Sequence, residues 1–212
     1  MTLAPTYQDL AGLYDRLAPD YDKLHHRWLR YAGGEAQSAL EAAVRVLASP
    51  TTHILDAGCG TGAFARRLFR EKVIAPHQVS LMDPSDAMLL RCADLPCLKA
   101  RGRLEAMPFE DARFDLVTCA WALETATHPA AAIEEMYRVL RPGGTLCLAF
   151  CADQPARGVV QKAIRQTLSL RGTGRFLSLK AVRAAIMATG AGHVVSVPVT
   201  GPVAMLVAKR EG

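Results

Sequence analysis

The sequence predicts an α/β fold, a doubly wound, mostly parallel seven-stranded sheet with a C-terminal antiparallel hairpin. Short apolar runs alternate with segments of helical periodicity from Ile54 to Phe150, the order that builds successive βαβ units. The first run, "THILDAGCGTGAF", ends in a carboxylate and then places glycine at alternate positions, Gly58, Gly60 and Gly62. Glycines there let a strand turn sharply into a helix and let a ligand approach the backbone. Near the end, "HVVSVPV", the turn "TGP" and "VAMLVAK" read as two strands joined by a short connection.

Each element follows from its own signals. Residues 1–48 read as an N-terminal helical lid segment and 49–212 as the sheet domain, with a basic helical insertion at about 153–177. Ile54 to Ala57 is the first strand, Ala63 to Lys72 a helix, and Gln78 to Asp83 the second strand. Ser85 is placed to N-cap a helix running to Ala93. A third strand lies within Cys97 to Glu105, and Phe114 to Trp121 is the fourth. A helix from Ala130 to Leu140 is closed by "RPGG", where Pro142 lacks a donor and Gly143 permits a left-handed turn, and Thr145 to Phe150 is the fifth strand.

Composition narrows the classes. The chain has 212 residues, half of them apolar, enough for a sizeable core. The opening "MTLAPTYQDL" lacks the basic start and apolar core of a secretion signal, and no apolar run approaches a membrane span of about 18 residues. A soluble cytoplasmic protein is expected. The six cysteines contain no CxxC pair and lie in or beside apolar runs, so they read as reduced thiols, with no metal expected. A net charge of +5 says little about partners.

Two ligands compete for the glycine turn. Gly58, Gly60 and Ala63 satisfy the loose G-x-G-x-x-G/A pattern of nicotinamide dinucleotide sites. Asp56, beside the loop, disfavours a diphosphate and favours a cationic ligand, such as one carrying an ammonium and a sulfonium.

Four ordered motifs resemble the class I S-adenosylmethionine (SAM)-dependent methyltransferases, which have a Rossmann-like fold. "LDAGCGTG" resembles their first motif and "LMDPSDAML" the acidic second-strand motif. "EAMPFEDARFDLV" resembles the entry to strand four and "EEMYRVLRPGG" the helix before strand five. The quinone-biosynthesis and related small-molecule methyltransferases are the most similar group, and their N-terminal signature recurs as "YDRLAPDYD", Tyr14 to Asp22. The resemblance implies SAM as cofactor and a small-molecule or lipid-like methyl acceptor, attacked by in-line displacement. It places Gly58, Cys59, Gly60 and Gly62 under the methionine part, Asp56 at the ammonium, and Asp83, with Pro84 beside it, at the ribose hydroxyls. Tyr21 would close over the methionine end, or pack an amphipathic helix with Tyr14, Leu17 and Leu24; the two roles are compatible.

One position departs from the pattern. Aligning "GRLEAMPF" puts Arg103 where an adenine-facing Asp is expected, so either Arg103 points outward and the backbone around Leu104 reads the base, or Glu105 or a shifted register substitutes. Methyl transfer needs a base only if the acceptor must lose a proton, and the candidates are His25, His26, Glu124 and His128, with Trp121 as a pocket wall. His25 and His26 are expected to face solvent and His128 to serve a turn.

Between Asp153 and Arg183 the chain carries Arg157, Lys162, Arg165, Arg171, Arg175, Lys180 and Arg183 against one acid. That bias suggests an anionic acceptor or peripheral contact with an anionic lipid surface. Nucleic acid is not expected as partner, because "CAWA" stands where amino-methylating nucleic-acid enzymes carry an Asn/Asp-Pro-Pro-Tyr/Phe-type tetrapeptide. A SAM-binding regulatory protein without transfer and a nicotinamide-dependent oxidoreductase remain as alternatives.

Overall fold

The computed structural model describes residues 7–156, 158–171 and 175–212. Seven strands form one sheet in the order β3-β2-β1-β4-β5-β7-β6: β1 Ile54–Ala57, β2 Val79–Asp83, β3 Leu98–Arg101, β4 Phe114–Ala120, β5 Leu140–Cys151, β6 Ala191–Val197 and β7 Val203–Arg210. The first five are parallel, and β7 runs antiparallel to both β5 and β6. The order reverses between β1 and β4, so a crevice opens at their C-terminal ends, the place where such sheets bind ligands.

Helices cover both faces. On one, α3 (Gly34–Leu47) buries Ala36, Leu40 and Val44 at spacings of four, beside α4 (Ala63–Arg70) with Phe64, Ala65 and Leu68. On the other, α6 (Pro129–Val139) packs Ile133, Met136 and Tyr137 with Val182 and Ile186 of α8 (Leu179–Ala188). Helix α8, N-capped by Ser178, has no counterpart among the elements expected from the sequence. The basic insertion contains α7 (Gly158–Arg171). Arg157 lies outside the described residues, as do the side chains of Arg165 and Arg171. Helix α3 belongs largely to the core, while α1 (Tyr7–Leu17) and α2 (Tyr21–Trp28), joined to α3 through a π-helical turn at Leu29–Gly33, lie over the crevice.

Short-range signals placed most elements well. Ser85 caps α5 (Asp86–Arg91), its Oγ accepting from Met88 N at 3.1 Å. The "RPGG" segment behaves differently from expectation. Helix α6 stops at Val139 with Leu140 already extended and paired to Phe114, and Arg141 to Gly144 form a bulge before Thr145 pairs with Leu116. Pro142 and Gly143 (φ +77°) thus shape a strand bulge, because pairing with β4 has already drawn Leu140 out of the helix. The hairpin's first strand is likewise shifted, ending before Pro198, which has no N–H for the ladder. All six cysteines are free thiols, five of them buried and Cys97 half-buried.

Candidate functional site

The turn after β1 is a backbone device. Gly58, Gly60 and Gly62 all have left-handed φ, at +78°, +53° and +73°. A Cβ on Gly58 would sit 2.3 Å from the Ala122 Cβ, so the turn presses against the loop after β4 with no room for a side chain. Gly58 N and Cys59 N donate to Met82 O at 2.8 and 3.0 Å, and Gly60 N donates to Asp83 Oδ2 at 2.9 Å. The ends of β1 and β2 are thereby sewn together.

Asp83 is buried, and its second oxygen accepts from Ser85 N at 3.0 Å. Each carboxylate oxygen has two lone pairs, so both can take another donor. Burial pushes its carboxyl up to about 6, partly offset by the two backbone N–H groups. Asp56 is buried too, and burial pushes it up to about 7 against the bond from Thr118 Oγ1 to Oδ1 at 3.0 Å. Its Oδ2 is fully buried and has no partner among the described residues. Such an atom is costly unless a donor, best a cation, arrives to satisfy it.

Two depressions meet at this turn. One is lined by Asp83, Pro84, Arg103, Leu104, Glu105 and Thr127, with Leu10 and Tyr14 above. The other is lined by Asp56, Cys59, Thr61, Gln37, His25 and Arg67. Gly58, Gly60, Tyr21 and Trp121 belong to both, so they form one continuous cleft. Tyr21 crosses its middle, with Cε1 3.5 Å from where a Gly60 Cβ would stand, while Tyr14 meets it edge-on at 6.1 Å. Trp121 (φ +60°) is fixed by Nε1 donating to Gln37 Oε1 at 2.8 Å and by an edge contact with Trp28 at 5.4 Å.

The base candidates separate in space. His25 does not face solvent: it is half-buried and stacks on Tyr21 at 5.5 Å, and burial lowers it to about 4, leaving a neutral ring that backs the tyrosine. Packing of α2 on the glycine turn swings it inward. His26 is exposed, and so is His128, which starts α6 with its backbone N donating to Glu105 Oε1 at 3.2 Å. Glu124 is buried, accepts from Cys151 N at 3.3 Å through Oε1, and leaves Oε2 without a partner among the described residues; burial raises its pKa. Several site residues carry no expectation from the sequence. Of these, Thr118 had a signal, a lone hydroxyl within an apolar strand; Gln37 had none, because its partner Trp121 is remote in sequence.

The donor sets fit SAM. Asp83, with spare acceptor capacity on both oxygens, suits a pair of ribose hydroxyls, and the orphaned Asp56 Oδ2 suits an ammonium. The turn between them offers backbone without side chains, and Leu104 supplies an apolar wall.

The comparisons agree. A family model described as "Methyltransferase domain" matches residues 55–148. Demethylmenaquinone methyltransferase of Lactiplantibacillus plantarum is 34% identical over 158 residues, 69% of this chain and 65% of that protein. The chain thus spans less than two thirds of that relative's length. Malonyl-[acyl-carrier protein] O-methyltransferase of Enterobacter lignolyticus is 30% identical over 181 residues, 84% of this chain and 67% of that protein. Among solved structures, a SAM-dependent methyltransferase of Thermotoga maritima aligns with a TM-score of 0.71 at 19% identity, over 95% of this chain and 100% of that one, a likeness of fold alone. Motifs, sheet order and relatives converge, and the chain belongs to the class I SAM-dependent methyltransferases.

Proposed function

We propose that this chain binds SAM in the cleft and transfers its methyl group to a small-molecule acceptor. One observation carries the reading: two buried carboxylates, Asp83 and Asp56, stand at opposite ends of a single cleft, joined by three left-handed glycines, and one of them lacks a partner for Oδ2. SAM supplies a methyl group already activated on a sulfonium, so the protein's task is alignment and exclusion of water.

Asp83 holds the ribose hydroxyls, with Pro84 shaping the turn below, and Asp56 Oδ2 takes the ammonium. Gly58, Cys59, Gly60 and Gly62 provide the floor, and Leu104 packs against adenine. Tyr21, propped by His25, keeps solvent off the middle of the cleft. We assign the acceptor to the side formed by Tyr14, Trp121 and the loop from Ala122 to Thr127, within which the buried Glu124 keeps Oε2 without a partner among the described residues.

No helix among the described residues is long and apolar enough to cross a membrane. We place the protein in the cytoplasm and read the basic insertion as favouring an anionic acceptor or an anionic lipid surface. Two cations of the basic stretch from Asp153 to Arg183 also serve the fold: Arg175 donates to Ala126 O at 2.5 Å and Arg183 to Val194 O at 3.2 Å. Lys162 and Lys180 carry the remaining described positive charge of the segment.

Titration calorimetry with SAM, its demethylated product S-adenosylhomocysteine and NAD tests the cofactor. Binding of the first two and not the third is expected; binding of NAD alone overturns the reading. Methyl-labelled SAM incubated with fractionated cell extract then identifies the acceptor, and sedimentation with anionic vesicles at rising salt tests the lipid version.

A further inference from the structure

Two of the three aspartates of "YDRLAPDYD", Asp15 and Asp22, each reach across to a buried hydroxyl in a proposed cofactor loop. Ser85 Oγ donates to Asp15 Oδ1 at 2.5 Å, and Ala87 N donates to the same oxygen at 3.2 Å. Thr61 Oγ1 donates to Asp22 Oδ1 at 2.5 Å, and Arg91 lies 3.6 Å from Asp22 Oδ2. Ser85 is fully buried and Thr61 nearly so, whereas both aspartates are exposed. Short bonds from a hydroxyl to a carboxylate belong to the stronger kind.

Both hydroxyls sit one step from a cofactor group. Ser85 uses its Oγ in two directions, accepting from Met88 N and donating to Asp15, while its own N donates to Asp83 Oδ1. Asp15 therefore fixes the residue that orients the proposed ribose acid. Thr61 lies between Gly60 and Gly62, so Asp22 fixes the glycine turn. Tyr14 and Tyr21, the rings that roof the cleft, immediately precede these aspartates.

We propose that Asp15 and Asp22 are paired latches, positioning residues that fasten α1 and α2 across the two cofactor loops, so that closure of the lid and retention of the nucleoside are one event. The inference rests on the SAM reading for its ligand and on the hydrogen bonds for its geometry. Opening the roof requires both bonds to break; while they hold, Tyr21 stays over Gly60.

Hydrogen exchange and stopped-flow release of S-adenosylhomocysteine test this on the full chain, comparing wild type with Asp15→Ala, Asp22→Ala and the double variant. Latches predict that the double variant releases the nucleoside at least about tenfold faster, the loss expected on removing charge-assisted bonds. Amides of residues 7–28 exchange faster even without ligand, while those of β1 and β4 are unchanged. Asp15→Asn and Asp22→Asn, which retain an acceptor oxygen, recover part of the slow release. Unchanged release and unchanged exchange in the double variant overturn the proposal, as does faster exchange throughout the sheet, which would make the aspartates general supports of the fold. Should wild type bind neither SAM nor S-adenosylhomocysteine, the function reading fails by calorimetry, and the ligand-free exchange still decides whether the lid is latched.

Discussion

The two sides of the cleft are built by opposite means. The cofactor side comes from contiguous stretches of chain, residues 56–62 and 83–85, whose backbone geometry dictates their residue types. The acceptor side is assembled from distant segments: α1 and α2, the loop at Trp121 to Thr127, Cys151 at the end of β5, and Arg175, whose N donates to Glu124 O at 3.3 Å. Where local conformation decides, only one or two residue types fit and the sequence is readable. Where side chains meet from afar, many combinations fill the space.

The largest expected effect contrasts two glycines with the same backbone strain. Gly58 and Gly143 have φ of +78° and +77°, so alanine at either costs about 1–2 kcal/mol in the left-handed region. Only Gly58 also meets a wall, the Ala122 Cβ at 2.3 Å, whereas nothing among the described residues lies within 4 Å of a Gly143 Cβ. Gly58→Ala should abolish measurable SAM binding by forcing the two sides of the cleft apart. Gly143→Ala should lower the melting temperature and leave affinity intact. Calorimetry and thermal denaturation of the two variants check this, and equal SAM affinity in both would remove the glycine turn from the site.

Next in size is Asp83, the proposed ribose acid. Asp83→Ala removes two bonds to a charged acceptor, each worth roughly 1.5–3 kcal/mol, and should raise the SAM dissociation constant by about tenfold to a thousandfold. On the proposed acceptor side, Glu124→Gln keeps the shape at a buried position that meets none of the proposed cofactor groups, so it should leave SAM affinity within about twofold, as for independent sites, while slowing transfer to the identified acceptor. If the two variants lose SAM equally, the division of the cleft is wrong.

How far the sequence could be read follows the same division. Gly58, Asp56, Asp83 and the Ser85 cap announce themselves, because a left-handed turn, a strand-end acid and a helix start each admit few residues. The family model's span, residues 55–148, includes that legible part. The inward turn of His25, the Trp121 to Gln37 bond and the strand bulge at "RPGG" depend on what the rest of the chain packs against them, and no local pattern encodes those neighbours. Asp15 and Asp22 fall between: the motif was visible, but the hydroxyls they reach lie 70 and 39 residues away.

Proton linkage gives a graded test. In the unliganded protein Asp56 is pushed up to about 7 and Asp83 to about 6, and a cationic amino acid end or ribose needs each as a carboxylate. SAM affinity should therefore be flat above about pH 7, fall about tenfold per unit from 7 to 6, and fall more steeply below 6 as a second proton must leave. Asp56→Asn should erase the upper limb. Folding stability is a poorer readout. The two raised carboxyls hold protons that the unfolded chain releases near pH 4, so their contribution declines as pH climbs through 6 and 7; His25, lowered to about 4, works the other way between 4 and 6.5. A pH-independent SAM affinity between 5 and 8 would show that neither carboxylate meets the ligand as a charge.

The smallest expected effect lies at Arg103, the position where the resemblance leads us to expect an acid. Arg103 lines the same depression as Asp83 and is exposed, while the adjacent Leu104 is buried. What shapes the wall there is backbone: Arg103 O accepts from Ala106 N at 3.1 Å, and Arg103 and Ala106 form an isolated antiparallel bridge. Alanine preserves both, and an exposed cation is screened by solvent, so Arg103→Ala should leave the SAM dissociation constant within about twofold. Arg103→Asp keeps the same backbone and adds an acceptor for the adenine amino group, so it should tighten binding modestly and tighten adenosine more than ribose alone. Those two variants sharpen the comparison at its boundary, because they ask whether the cofactor side is read by backbone even where its side chain has changed. Loss of binding in Arg103→Ala would make the arginine a direct ligand and move adenine recognition from the local, backbone-built side of the cleft to a side chain specific to this protein.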